Sequence, residues 1–268
     1  FYGDVAAFIV PKYELVDPIE LIPYAGLGIV SGAVAILFVK VLYFFEDIFD
    51  ARKIPDFYKT AFGGLLVGGI GVFFPQIFGV GYMAIDQALL GKMGIWLLFA
   101  LIFIKILASS LTLGSGSSGG VFAPSLFIGA MTGGFFGTII HKLLPSVTAG
   151  PGAYSLVAMS AVVGASTHAP ITAIMIIFEM TNDYKIILPL MIATTISSFM
   201  TSKLQKGSIY TLKLMNRGVN IHQGREINIL KSMKVDAHYR NSIELIGADA
   251  PLKDIIERFI NTESTYLY

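Results

Sequence analysis

The segment from Gly114 to Gly137, GSGSSGGVFAPSLFIGAMTGGFFG, has the residue types and spacing of a site. Glycine and serine dominate it up to Gly120. A helix is predicted to begin near Val121, with Pro124 in its first turn, where a missing amide costs nothing. The free amides of Gly120, Val121 and Phe122 then point out of the helix start, and the helix dipole adds partial positive charge there. At membrane depth such a start holds an anion without any arginine. Several modest dipoles let the ion leave again, whereas a full positive charge would hold it too firmly. The same string also reads as a flexible connector between two spans. A phosphate-cradling loop is excluded, because a Walker sequence needs Gly-Lys-Ser/Thr and no lysine stands between 106 and 141.

Other chemistry-bearing residues are sparse. Ionisable groups inside a membrane are functional by default, so Glu179 and Asp183 invite a proton relay. Glu179 falls near a helix end, however, and Asp183 stands where it can cap a helix beginning near Lys185; both read as structural. His168, ahead of Ala169-Pro170, reads as a helix-boundary residue. The four histidines, His141, His168, His222 and His238, do not cluster in metal-ligand spacing, and the absence of cysteine removes thiolate ligands, nucleophiles and disulfides. With no nucleophile beside a base and no facing acids, an enzyme is not expected, and neither is a bound cofactor.

The elements that must carry these residues are apolar. The chain has 268 residues, 54% hydrophobic and 14% charged, with a mean hydropathy of +0.71; soluble domains carry about a quarter charged residues. Its 19 basic and 18 acidic side chains leave a net charge of +1, so it lacks the basic surface that nucleic acid demands. Stretches 21–39, 60–85, 106–140, 143–178 and 186–202 hold no Asp, Glu, Lys or Arg, each near or above the ~18 residues of a spanning helix. The two longest are interrupted by the Gly114–Gly120 string and by Pro145, Gly150-Pro151-Gly152 and Ala169-Pro170, which predicts broken, unequal helices. Helices are predicted over 21–49, 58–73, 92–112, 121–142, 152–166, 170–181, 186–203 and 208–217. Gly63-Gly64, Gly68-Gly69 and Gly71, and Gly129, Gly133-Gly134 and Gly137, predict close helix approach in lipid. Arg52-Lys53, and Lys203 with Lys206, mark candidate cytoplasmic loops.

Residues 229–268 hold 11 of the 37 charged side chains, about 28% of that stretch against about 11% before it, which marks the start of a soluble part. The chain opens on Phe1 without a basic n-region, so no signal peptide is read, and it closes on the apolar run Thr265-Tyr266-Leu267-Tyr268. Both ends read as cut.

GSGSSGGVFAPSLFIGA resembles the GxFxP region of the CLC family of chloride channels and chloride/proton antiporters. Further along, STHAPITAIMIIFEMTNDYKIILPLMIATTISSFM resembles the two helices before that family's last membrane helix, and KGSIYTLKLMNRG resembles the last helix itself. The spans between 21 and 90 fit the earlier helices of the family's second half more loosely. The resemblance implies an all-α membrane protein, a CLC-type bundle of broken, tilted helices forming the second inverted repeat, over residues 1–218. It implies multi-pass insertion in a lipid bilayer, a homodimer, and chloride as the transported ion. The amides following the motif's second glycine, Gly120, would hold the central anion, those of Val121 and Phe122, together with the hydroxyl of Tyr210. Without the resemblance, Tyr210 reads as an interfacial belt residue. The family's EMT segment lies near its subunit interface rather than its pore, which again sets Glu179 aside.

Three further segments are implied: a GSGIP-like one, a GREGP-like one with a gating glutamate, and an internal glutamate on the antiporters' proton route. This sequence does not carry them. Gly224-Arg225-Glu226-Ile227 comes nearest but follows the last membrane helix, as a linker coincidence. Channel and antiporter therefore stay open, as do another anion such as nitrate or fluoride and a membrane sensor without transport. After a linker at 219–228, residues 229–268 resemble the opening of a cytoplasmic α/β CBS domain, truncated here: a strand, a turn at Asp249-Ala250-Pro251, then an amphipathic helix with Ile255, Ile256, Phe259 and Ile260 on its apolar face and Asp249 as N-cap. A complete pair of such domains would take an adenine nucleotide.

Overall fold

The computed structural model of the protein describes residues 8, 17–51, 55–181, 184–216, 247 and 249–261. They fall in two compact units, Phe1–Asn220 and Ile221–Tyr268. Asp183, and the strand expected near the start of the second unit, lie outside the described residues, which contain no strand.

The described residues of the first unit form helices joined by turns and short loops. A single 3-10 turn at Pro18–Glu20, capped by the Asp17 carboxylate on the Ile19 amide, leads into α1, Leu21–Asp50. Then follow α2 (Asp56–Phe73), α3 (Tyr82–Leu89), α4 (Ile95–Gly114), α5 (Phe122–Leu143), α6 (Pro151–Thr167), α7 (Pro170–Thr181), α8 (Ile187–Leu204) and α9 (Leu212–Asn216). Four segments, Pro18–Asp50, Ile95–Gly114, Phe122–Leu143 and Tyr184–Leu204, are long and apolar enough to cross a bilayer.

α2 ends at Phe73 as expected, because Pro75 forces Phe74 out of helical geometry, although it begins at Asp56 rather than 58; α3 was not expected. Gly81, at φ 80°, then starts α3 as a left-handed entry that favours glycine. Near the C-terminus, Ser208–Thr211 form a capping turn instead of helix, so α9 begins at Leu212 rather than 208.

α6 is the hub. Gly152 through Ser166 are all buried, the pattern of a helix surrounded by protein rather than lipid. α5 lies along it closely because three glycines one turn apart face it. A methyl on Gly129 would stand 2.6 Å from the Ala158 carbonyl oxygen, and one on Gly137 2.7 Å from Cβ of Tyr154; on Gly133 it would meet the Tyr154 carbonyl. The expected glycine packing therefore holds on α5. On α2 it holds only for Gly63, against Ser115, and Gly71, against Phe78; Gly64, Gly68 and Gly69 meet nothing within 4 Å among the described residues. α8 joins α6 through hydroxyls, Thr194 to Ser160 at 2.8 Å and Ser197 to the Ala161 carbonyl at 2.8 Å.

α1 clasps the start of α6. Glu20 is fully buried, and its Oε1 accepts the Ala149 amide at 2.7 Å and the Tyr154 hydroxyl at 3.1 Å. The Tyr24 and Tyr154 rings stack beside it at 4.6 Å. At its other end α6 stops on His168, the one non-glycine among the described residues with positive φ, 57°, which bears out its reading as a boundary residue.

In the second unit, Leu252–Asn261 form α10. It starts after Pro251, so the cap position falls on Pro251 rather than on Asp249, which lies in the turn before it. Ile256 and Ile260 are exposed and Ile255 is half-buried.

The close α5–α6 approach makes a sharp expectation. Gly129→Val should cost on the order of 1–3 kcal/mol by overpacking, read as a lowered thermal unfolding midpoint in detergent. Gly64→Val should leave the midpoint within experimental scatter.

Candidate anion site

The site is built where α4 ends and α5 begins. α4 unwinds through bonds from Ser115, Gly116 and Ser117 to the carbonyls of Leu111, Leu113 and Thr112, with Gly116 at φ 87° taking the left-handed turn. This end is anchored on two sides. A methyl on Gly114 would stand 3.0 Å from the Glu46 amide nitrogen on α1, and Thr60 of α2 donates to the Ser115 carbonyl at 3.2 Å. The loop is therefore held at its start rather than hanging as a free connector.

From Ser118 to Gly120 the chain is exposed, and Val121 and Phe122 are half-buried. Val121 is the N-cap of α5, with no side-chain cap; its carbonyl accepts from the Ser125 amide at 3.1 Å and hydroxyl at 2.7 Å. The amides of Gly120, Val121 and Phe122 meet no acceptor among the described residues, as the start of a helix requires. The sequence reading assigns the anion to these amides.

Tyr210 lies on the turn Ser208–Thr211. The Ser208 amide donates to Thr211 Oγ1 at 2.9 Å, and the Tyr210 and Thr211 amides donate back to Ser208 Oγ at 3.3 Å each. Two long-range bonds fix the turn: the Ile209 amide donates to the Ser166 carbonyl at 2.8 Å, and the Tyr43 hydroxyl donates to the Ile209 carbonyl at 2.7 Å. The Tyr210 side chain is 57% exposed.

Ser166 connects the two halves of the site. Its carbonyl holds Ile209, the neighbour of Tyr210, while its hydroxyl lies 3.4 Å from that of Ser125, which bonds Val121. The end of α6 thus brings the α5 amides and the Tyr210 turn onto one support. Sequence reasoning missed Tyr43, Ser125 and Ser166, because each acts across a long gap in sequence that no local pattern marks.

Beside the site lies a cavity of about 350 Å³ whose lining includes Gly119, Gly120, Ser109, Thr112, Pro124 and the ammonium-bearing Lys105. Lys105 also escaped the sequence reading, although a lone charge inside an apolar helix is a signal in itself. Glu179 lies in the last turn of α7, near a helix end as the sequence suggested.

Residues 1–202 match the family model described as voltage gated chloride channel; the match ends before Tyr210. The chain is 38% identical over 220 residues to the chloride channel protein CLC-f of Arabidopsis thaliana, covering 76% of this chain and 28% of that one. It is 32% identical over 219 residues to the H(+)/Cl(−) exchange transporter ClcA of Vibrio campbellii, covering 80% and 47%. The solved structure of a slow cyanobacterial Cl−/H+ antiporter superposes with a TM-score of 0.71 at 30% identity, over 84% of this chain and 52% of that one. The chain thus spans less than half the length of these curated relatives, and each of the three is named as a channel, exchanger or antiporter, none as an enzyme.

Tyr43→Phe removes the donor to the buried Ile209 carbonyl, and an orphaned buried acceptor costs about 1–3 kcal/mol. Amide hydrogen exchange at Ser208–Leu212 should accelerate in this variant while exchange in α5 stays as it was.

Proposed function

This chain belongs to the voltage gated chloride channel family, a family of integral membrane proteins, and we propose that it forms the anion-holding part of a transmembrane chloride transporter. The observation that carries the reading is the support at Ser166, which joins three unpartnered α5 amides to the turn bearing Tyr210. Chloride is held by hydrogen bonds alone: the amides of Gly120, Val121 and Phe122 on one side, the Tyr210 phenol on the other. A phenol is a neutral donor, strong enough to replace a water and weak enough to release the ion. Movement is passive or proton-coupled, as the named relatives include both a channel and an exchanger.

The functional protein is read as a homodimer. The outer faces of α7 and α8 support this with exposed Ile171, Met175, Leu188 and Met191, an apolar surface for lipid or a second copy. The second unit is read as the opening of a cytoplasmic CBS domain; the amphipathic α10, with Ile256 and Ile260 uncovered, supports a helix made to pack on a neighbour. A nucleotide there requires a complete CBS pair.

Chloride efflux from liposomes holding the full-length polypeptide that carries this chain tests the reading. Phe122→Pro removes one amide at the first helical position and also shifts the start of α5, since a following proline disfavours the helical geometry of Val121, and should weaken chloride binding about tenfold or more. Tyr210→Phe should weaken it several-fold. Liposomes that hold residues 1–268 alone should show no chloride efflux above background; efflux from them would refute the view that this chain supplies only part of the site.

A further inference from the structure

Lys105 is the sole charged residue of α4 and is 3% exposed. Its Nζ donates to the carbonyls of Ile77, at 2.7 Å, and Gly79, at 2.9 Å, and stands 4.8 Å from the centroid of the Phe127 ring. These partners satisfy its donors but carry no net negative charge, and no carboxylate lies within ion-pair distance of it among the described residues. An ammonium kept in an apolar span without a counter-charge is costly. It is therefore kept for more than a tether, since a neutral amide donor would hold the same two carbonyls more cheaply.

The cavity shows where the charge acts. Lys105 lines the same space as Gly119 and Gly120, and Gly120 supplies one of the three amides assigned to the anion. The ammonium, held on the Ile77 and Gly79 carbonyls, belongs to the lining of that cavity and is not itself one of the assigned anion donors. We propose that Lys105 sets the anion affinity of this site through its field, as the counter-charge to an ion it does not touch. The proposal rests on the chloride reading above. It resolves a tension in that reading: hydrogen-bond donors alone release chloride easily but attract it weakly, while a cation in contact would trap it. A cation set back behind the wall raises affinity without adding a contact that must break on release. A unit charge acting over roughly 10 Å at an effective dielectric of about 20 shifts an ion equilibrium on the order of tenfold.

Three substitutions separate tether from charge. Lys105→Arg keeps both, Lys105→Gln keeps amide donors for the Ile77 and Gly79 carbonyls and loses the charge, and Lys105→Met loses both. The measurements are the chloride dependence of efflux from liposomes and calorimetric chloride titration of the purified full-length polypeptide. Lys105→Gln and Lys105→Met should each raise half-saturating chloride about tenfold, and Lys105→Arg should stay within about twofold of the parent. A second pair leaves Lys105 in place: Ser109→Asp puts a carboxylate one turn along α4 in the same cavity and should weaken chloride, whereas Ser109→Asn should not. Parent-like affinity in Lys105→Gln overturns the proposal. If the Lys105 variants do not fold, equal affinity in the two Ser109 variants overturns it. A parent protein that neither binds nor moves chloride refutes the chloride reading and this proposal with it, whereas unchanged affinity in Lys105→Gln beside a working parent refutes the proposal alone.

Discussion

A backbone amide left unpaired at membrane depth must be met by something, and the start of α5 leaves a row of them. Much of the first unit is arranged around that fact. The loop before α5 is pinned at Gly114 and Ser115, and Ser125 ties the first turn to the end of α6. Under the proposed reading fixed dipoles coordinate the ion, so their positions would carry the selectivity and the helices behind them would have to hold those positions.

α6 supplies that rigidity. It is buried along its length and touches α1, α3, α5, α7 and α8. Its first turn is held by Glu20, its middle by the glycines of α5 and the hydroxyls of α8, and its last turn carries the site. A helix with no lipid-facing side needs no amphipathic pattern, so small residues can run all round it and let every neighbour approach closely.

What could be read from the sequence was what depends on neighbours in sequence. Gly114–Gly120 and Pro124 announce a loop followed by a helix start, and Ala169-Pro170 announces the break that His168 makes. α3 was hidden because its apolar residues merge with those of α2, and only Pro75 and Gly81 mark the division. On α2, glycines that look like a packing face divide into two that pack and three that do not, since composition does not say which way a helix is turned. Glu20, Tyr43 and Ser166 were beyond reach for another reason. Their partners lie 129, 166 and 41 positions away, respectively, and hydrogen bonds of that span leave no periodic trace.

That distance has a consequence for how the protein is made. Chains emerge from a ribosome at about 5–20 residues per second, so α1 enters the bilayer on the order of ten seconds before Ala149 and Tyr154 exist to receive the Glu20 carboxylate. Through that interval the acid must stay hydrated at the membrane surface or be shielded by the insertion machinery. Seating of α1 is therefore a post-insertion event, completed only after the start of α6 has been made.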